Sequence, residues 1–255
     1  MNKKKIAAVI PARMASSRFP GKPLVDILGL PMIEHVRRRA LLSEIFNDVY
    51  VATCDNEIKE TVERYGGKAV MTADTHQRCT DRIEEAAEKL DVDIVVIISG
   101  DEPLIDPGPF DLVVRPIVRD KKAECVNLVS VISEEGDLNN TDVVKAVLNN
   151  RGYIMYYSRL PVPYMRVKNN CPAYRQTGIS AFTKTFLRQY SSLPHTTMEI
   201  AESIDFLRIL EHGYPIYSVI YPQRTVAVDR ESDVEEVEKI LLQDPAQQAF
   251  YQKIR

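Results

Sequence analysis

Five β-branched apolar residues stand in a row at Ile94-Val95-Val96-Ile97-Ile98, and Ser99-Gly100-Asp101 follows at once. A run of this kind has no polar face to give to water. It needs apolar cover on both sides, the condition of a strand inside a parallel sheet. A similar run occupies 6–10, another 49–53, and 68–71 reads as a short strand. Between them apolar residues recur at helical spacing. Ile33, Val36, Ala40 and Leu41 share one side of a helix over 31–42, and Ile58, Val62 and Tyr65 mark a second, stopped by Gly66-Gly67. Ile83, Ala86, Ala87 and Leu90 mark a third over 81–90. Strands alternating with helices argue for an open α/β sheet with right-handed crossovers. Ligands of such sheets bind beyond the carboxyl ends of the strands.

Two of those ends carry chemistry. After the first strand comes Pro11-Ala12-Arg13-Met14-Ala15-Ser16-Ser17-Arg18-Phe19-Pro20-Gly21-Lys22, a loop with the cations Arg13, Arg18 and Lys22. Backbone N–H groups and positive charge in such a loop suit a polyphosphate. Arginine adds planar forks for phosphate oxygens, and lysine adds a point charge. The glycine patterns of a Walker P-loop and of a dinucleotide fingerprint are both absent. The plain alternative is a solvated basic loop. At the second end Asp101 stands behind Gly100, whose missing side chain allows close backbone approach. A carboxylate beside a triphosphate suits Mg²⁺, which takes one or two carboxylates and shares phosphate oxygens. The alternative is a turn aspartate capping the next helix. Late in the chain Asp229 reads as the close of a strand over 225–228 and precedes a final helix with Val234, Val237, Ile240 and Leu241. With Asp101 it could complete a metal site.

From about residue 125 the pattern turns β-rich, with strands expected over 125–132, 143–148, 153–157 and 177–182. Asn149-Asn150-Arg151-Gly152 is a turn, 162–175 a long polar loop, and Arg159 ends a strand where it could meet an anion. One helix is expected over 198–212, with Glu199, Glu202, Asp205 and Arg208 on a solvated face, and Gly213 as its stop. The Arg37-Arg38-Arg39 run is likewise read as a solvated face. Tyr153, Tyr156, Tyr157 and Phe182 are candidates for a dimer interface.

With 255 residues, 45% hydrophobic and 27% charged, the chain can bury a full core, and its net charge of −3 gives no broad attraction to nucleic acid or to an anionic membrane. No stretch reaches membrane-spanning length, and Lys3-Lys4-Lys5 precedes too short an apolar run for a signal peptide. Cys54, Cys79, Cys125 and Cys171 are too scattered for a C-x-x-C motif, with Cys125 placed in the core. They read as reduced thiols of a cytoplasmic protein.

Taken together, these residues resemble the 3-deoxy-manno-octulosonate (Kdo) cytidylyltransferase, or CMP-Kdo synthetase, family over nearly the whole chain. The run 10–24 looks like its opening motif almost letter for letter. Pro31-Met32-Ile33, Val51-Ala52-Thr53, Met71-Thr72, Thr80-Asp81-Arg82, Gly100-Asp101-Glu102-Pro103, Tyr157-Ser158-Arg159 and Val228-Asp229 follow in the family's order. The resemblance implies a mixed, mainly parallel sheet sandwiched by helices, the glycosyltransferase-A-like nucleotidyltransferase fold, with a smaller β-rich subdomain. It implies one nucleotidyltransferase domain over 1–255. Within it, 1–123 mainly binds CTP, 124–222 serves the acceptor and dimerisation, and 223–255 completes the metal site.

By the same resemblance Pro11, Ala12, Arg13, Ser16, Lys22, Arg78, Gly100 and Asp101 would bind CTP, with Arg13 and Lys22 on its phosphates. Asp101 and Asp229 would hold Mg²⁺. An acceptor hydroxyl would attack the α-phosphorus and pyrophosphate would leave, giving the CMP-sugar used for lipopolysaccharide or surface polysaccharide. Ser99, Arg159, Gln176, Ser180, Glu199 and Glu202 would face the acceptor, and the enzyme would be a homodimer.

The departures fall on the acceptor side. Ser99 replaces a glutamine, Arg78-Cys79 replaces Ser-Gly, Gln176-Thr177-Gly178-Ile179-Ser180 replaces His-Leu-Gly-Ile/Val-Tyr, and Glu199-Ile200-Ala201-Glu202-Ser203 replaces closely spaced leucines and glutamates. They point to an alternative acceptor, a non-Kdo acid or a phosphonate, with Arg78 favouring an added anion. A catalytically silent nucleotide-binding homologue is the third reading.

Overall fold

The computed structural model of the protein describes residues 4–16, 18–76, 78–120, 122–167, 171–222 and 226–255. They divide into two compact units, Met1–Asp111 with Thr225–Arg255, and Leu112–Arg224. The first unit opens with β1 (Ile6–Pro11), a 3-10 turn at Lys22–Leu24, and a small hairpin of β2 (Asp26–Ile27) and β3 (Leu30–Pro31). There follow α1 (Met32–Ala40), β4 (Asp48–Thr53), α2 (Asn56–Arg64), β5 (Lys68–Met71), α3 (Cys79–Glu88) and β6 (Ile94–Ile98). β1 pairs in parallel with β4 on one side and with β6 on the other, and β4 pairs in parallel with β5. Every residue of β6 is buried, as the five-residue β-branched run requires. Parallel register brings the carboxyl ends of β1, β4, β5 and β6 to one edge, so the loops after them gather there.

The structure corrects the expected solvated arginine run of α1. Arg37 and Arg39 are buried, while Leu41, expected on the apolar side, is exposed. The reason is local pairing. Arg37 donates through Nε and Nη2 to the two oxygens of fully buried Glu34, at 2.7 and 2.6 Å. Arg39 donates to the Ile105 carbonyl at 3.2 Å and lies over the Phe250 ring. Burial lowers Arg39 to about 10, which leaves it charged at neutral pH.

α4 (Pro109–Arg119) leads along the chain into the second unit. That unit holds β7 (Cys125–Val131), α5 (Glu135–Asn139), β8 (Lys145–Leu148), β9 (Ile154–Ser158), β10 (Tyr174–Thr183), α6 (Lys184–Ser191), α7 (Thr197–Glu202), α8 (Phe206–Glu211) and β11 (Tyr217–Ile220). β7 is antiparallel to β10 and parallel to β11; β8 is antiparallel to both β10 and β9. The β8–β9 turn falls at the expected residues, with Gly152 at φ +79. Of the expected polar loop 162–175, residues 168–170 lie outside the described ones. Tyr157 and Phe182 are fully buried, which corrects their reading as interface residues. The single helix expected over 198–212 is also corrected. It breaks at Ser203, which has φ +53, a value that cannot continue an α-helix.

The chain then returns to the first unit with α9 (Ser232–Gln243) and α10 (Pro245–Ile254). The last helix was not expected; Asp244 caps it by accepting from the Gln247 amide at 2.9 Å, and Pro245 fills its first turn. Val226 to Val228 forms no strand in the described structure, which corrects the strand expected to end at Asp229; Thr225 lies outside the described residues. Val228, Val237, Leu241, Tyr251 and Ile254 pack with Ile27, Leu30, Met32 and Leu104 in one buried cluster.

Candidate active site

The loop after β1 is folded around one carbonyl. The Ala12 amide donates to the Ala52 carbonyl at 2.9 Å, extending the β1–β4 ladder by one bond. The Met14 amide then donates to Asp55 Oδ2 at 2.8 Å. The Met14 carbonyl accepts from the amides of Ser16 and Gly21, at 2.9 and 3.0 Å, and Ser16 Oγ accepts from the Phe19 amide at 3.3 Å. Ser16 is thus half-buried and holds the turn. Ser17 lies outside the described residues. Gly21 stands at φ +75 just before the 3-10 turn, a conformation that favours glycine. Asp55 was missed by the sequence reading. Its signal was an Asp two residues past a strand end and immediately before a helix, where a side chain reaches back to loop amides.

Lys22 leaves this loop pointing at both late carboxylates. Its ammonium donates to Asp101 Oδ2 at 2.9 Å and to the Val228 carbonyl at 2.9 Å, and lies 3.5 Å from Asp229 Oδ1. Only 15% of the lysine side chain is exposed. Arg18 reaches the same Asp229 oxygen at 2.9 Å. The backbone joins the two carboxylates as well, since the Val228 amide donates to the Asp101 carbonyl at 2.8 Å. Asp233, another missed residue, holds the Asp229 segment by accepting from the amides of Asp229 and Arg230, both at 2.8 Å. Gly100 explains how Asp101 can stand so close to β1. A Cβ there would lie 2.6 Å from the Pro11 carbonyl oxygen, so only glycine fits without moving backbone.

Arg13 is exposed. It lines a small cavity of about 70 Å³ with Pro11, Ala12, His76, Arg78, Cys79 and Arg82. Three guanidinium groups around one concavity suit an anionic ligand. Arg82 is buried and fixed by hydrogen bonds to Thr72 Oγ1 at 2.5 Å and to the Ala73 carbonyl at 3.4 Å. Glu85 stands behind His76, its Oε2 2.6 Å from the His76 Nε2: burial pushes its carboxyl up, but hydrogen bonds from Lys89, the Ala73 amide and His76 outweigh that and hold it at about 2. Arg82 and His76 were not among the expected site residues, although Arg82 sits in the Thr80-Asp81-Arg82 motif.

The residues expected at the acceptor are spread over both units. Ser99 follows β6 in the first unit and is half-buried. In the second, Gln176 is half-buried and Ser180 buried on β10, opposite Val129 and Asn127 of β7. Glu202 accepts from Ser158 Oγ and from the Arg159 amide, both at 2.9 Å. The Arg159 guanidinium donates to the carbonyls of Glu202, Thr141 and Ser203, at 2.6, 2.9 and 3.3 Å. Glu202 therefore fixes the strand end from which Arg159 projects. Glu199 is a correction. It is fully buried, and its oxygens accept from Arg208 Nε and Nη2 at 2.9 and 2.7 Å, with His195 Nδ1 at 3.0 Å and the Thr196 amide at 3.2 Å. With both oxygens engaged out of reach of solvent, it belongs to the fold and offers no ligand surface. Burial of this kind raises a carboxyl pKa, and here the Arg208 and His195 bonds overcome it.

Asp101 and Asp229 thus converge on the Lys22 ammonium, beside the Arg13 loop at the edge of the parallel sheet. A cytidylyltransferase family model matches residues 7–240. The 3-deoxy-manno-octulosonate cytidylyltransferase of Geotalea uraniireducens (strain Rf4) is 38% identical over 244 residues, covering 91% of this chain and 97% of its own. The 8-amino-3,8-dideoxy-manno-octulosonate cytidylyltransferase of Shewanella sp. (strain W3-18-1) is 40% identical over 240 residues, covering 92% and 98%. Among solved structures, CMP:2-keto-3-deoxy-manno-octonic acid synthetase complexed with CTP superposes with a TM-score of 0.89 at 36% identity, covering 94% of this chain and 99% of that one. The chain belongs to the cytidylyltransferase family and is an α/β, CTP-dependent nucleotidyltransferase.

Proposed function

We propose that the protein transfers CMP from CTP to the hydroxyl of a Kdo-type sugar acid and releases pyrophosphate. The observation that carries this reading is the meeting of Lys22, Asp101 and Asp229 beside the Arg13 loop. The acceptor oxygen forms a bond to the α-phosphorus, the bond to the bridging oxygen of the β-phosphate breaks, and the hydroxyl proton is lost. Such a step asks for positioning and for cations where charge develops. We assign Arg13 and Lys22 to the phosphate oxygens. Pro11, Ala12, Ser16, Arg78 and Gly100 are our further assignments at the CTP site, with Gly100 letting the chain before Asp101 approach the Pro11 carbonyl.

The carboxylate pair fits Mg²⁺. Both oxygens already address a single cation, and Mg²⁺ takes one or two carboxylates with phosphate and water oxygens completing its shell. Asp101 and Asp229 would hold it. When bound, the ion draws off negative charge from the phosphate oxygens. Among the described residues no group of three or more His, Cys, Asp or Glu could hold a metal. A site of two carboxylates that relies on the nucleotide for further oxygens agrees with that.

For the acceptor, Ser99, Arg159, Gln176, Ser180 and Glu202 are our assignments, with Arg159 on the carboxylate and Glu202 holding Arg159. We assign CTP binding mainly to 1–123, the acceptor and the dimer to 124–222, and completion of the metal site to 223–255. Residues 223–225 lie outside the described ones. We place the enzyme in the cytoplasm, supported by four cysteines scattered along the sequence with no C-x-x-C pair. Among the described residues no helix is long and apolar enough to cross a membrane. A second reading, a different acid or a phosphonate as acceptor, draws on Arg78, which lines the same cavity as Arg13.

Pyrophosphate release from CTP and Mg²⁺ with a panel of acceptors tests both readings. The panel holds Kdo, its 8-amino analogue, neuraminic-type acids, short 2-hydroxy acids and simple phosphonates. Turnover with Kdo or its amino analogue is the expected result. Turnover only with another acid favours the second reading, in which Arg78→Ser weakens acceptor binding. No turnover with any acceptor, despite CTP binding, moves the protein to the silent class, against which Arg13, Lys22, Asp101 and Asp229 all stand in place.

A further inference from the structure

Lys22 does more in this structure than a phosphate ligand needs to do. Its ammonium has three hydrogens and meets three acceptors: Asp101 Oδ2, the Val228 carbonyl and Asp229 Oδ1. Its stem leaves a tightly held turn, with Gly21 at φ +75 before it and Pro23 buried after it. Arg18 adds a second cation to Asp229 Oδ1 at 2.9 Å. The two carboxylates thus face two monovalent cations, and their charge is already balanced.

A divalent ion entering that pair would meet the Lys22 ammonium at contact distance, where like charges repel strongly in a partly dry site. A nucleoside triphosphate changes the balance. Its phosphate oxygens offer Lys22 a new partner and also offer the metal the ligands that two carboxylates cannot supply. We propose that Lys22 is a resident counter-ion that closes the Asp101–Asp229 pair to divalent cations until a nucleoside triphosphate draws it away. This rests on the reading of Asp101 and Asp229 as the metal carboxylates. Lys22 has two stations, the carboxylates in the free enzyme and a phosphate in the complex. Metal entry is thereby tied to nucleotide entry, and the free enzyme does not bind the divalent ion tightly on its own.

Mn²⁺ binding to the full chain without nucleotide, followed by the electron paramagnetic resonance signal of the free ion, tests this without reference to turnover. Lys22→Met keeps the length of the side chain and removes its charge. It should bind Mn²⁺ on the order of tenfold tighter than the wild type, because a competing cation at contact distance is gone. Lys22→Arg, which keeps the charge, should show no gain, and Asp101→Asn placed in the Lys22→Met chain should remove the gain. The same variant leaves two carboxylates facing each other with one counter-ion fewer. Its melting temperature should therefore fall, and Mn²⁺ should restore it while leaving the wild type unmoved. A Lys22→Met chain that binds Mn²⁺ no tighter than the wild type, and is not stabilised by it, overturns the proposal. The premise has its own readout: Asp101→Asn in the otherwise native chain should abolish the enzyme-induced change in the Mn²⁺–CTP signal. If it does not, the carboxylate reading fails, and the proposal with it.

Discussion

His35 is fully buried on α1, with Nε2 2.9 Å from the Ile27 carbonyl and its ring stacked on Tyr251 at 5.7 Å. Burial lowers its pKa to about 4, helped by the charges of Arg39 and Arg38 and opposed by the Ile27 carbonyl and Asp26. The unfolded chain takes up this proton near the ordinary value of 6.5, while the folded chain resists it down to about 4. Between those values the unfolded state holds more protons, so stability falls as the pH drops through that window. The loss attributable to this one ring is about 2–3 kcal/mol between about pH 7 and pH 4.5. Urea unfolding at the two pH values should show a smaller fall for His35→Gln than for the wild type. An equal fall in both would assign the acid sensitivity to the carboxylates. Neither the burial of His35 nor its pKa is legible in the sequence: Ile33, Val36 and Ala40 mark another side of the helix, and what covers the ring includes Tyr251, more than two hundred positions away.

α7 and α8 show the same dependence at the scale of an element. Apolar spacing over 198–212 promised one helix, and the chain makes two short ones around Ser203. What joins them is the bidentate pair of Glu199 on α7 and Arg208 on α8. Thr196 and Glu199 also form a capping box at the start of α7. Removing one partner leaves the other charge buried and uncompensated, which costs about 3–5 kcal/mol. Glu199→Gln should lose that much stability in chemical denaturation, with little change in the CTP KM of the folded fraction. The double change Glu199→Leu, Arg208→Met should cost less than Glu199→Gln alone, because no charge is then stranded. A surface role for Glu199 predicts instead a near-neutral Glu199→Gln.

At the scale of the whole molecule, the property to predict is assembly. We assign a homodimer contact to the second unit. There Met155, Leu160, Met198 and Ile200 are exposed on β9, the segment after it and α7, and Glu202 ties α7 to β9 through Ser158, Tyr156 and the Arg159 amide. Exposed apolar side chains on two linked elements are what a self-association surface presents to water. Light scattering after size exclusion should give twice the chain mass of 29.0 kDa, and Ile200→Glu should return it to one chain. A wild type that elutes as a single chain refutes the assignment.

The parallel sheet of the first unit was legible because period and composition are local. Ile94–Ile98 can satisfy its apolar faces only inside a sheet, and Pro11 and Gly100 mark where that sheet ends. The loop after β1 and Asp101 could be picked out as candidates for the same reason, since each stands just past a strand end. What the sequence could not hold was pairing between distant charges. Arg37 and Arg208 read as solvated because nothing along the chain announces that a buried Glu34 or Glu199 will meet two of the guanidinium nitrogens. The convergence of Lys22, Asp101 and Asp229 spans 207 positions of chain and exists only once Val228 is hydrogen-bonded to Asp101. Local pattern determines which segments seek a core; the cost of burying an unpaired charge determines which of them the fold brings together.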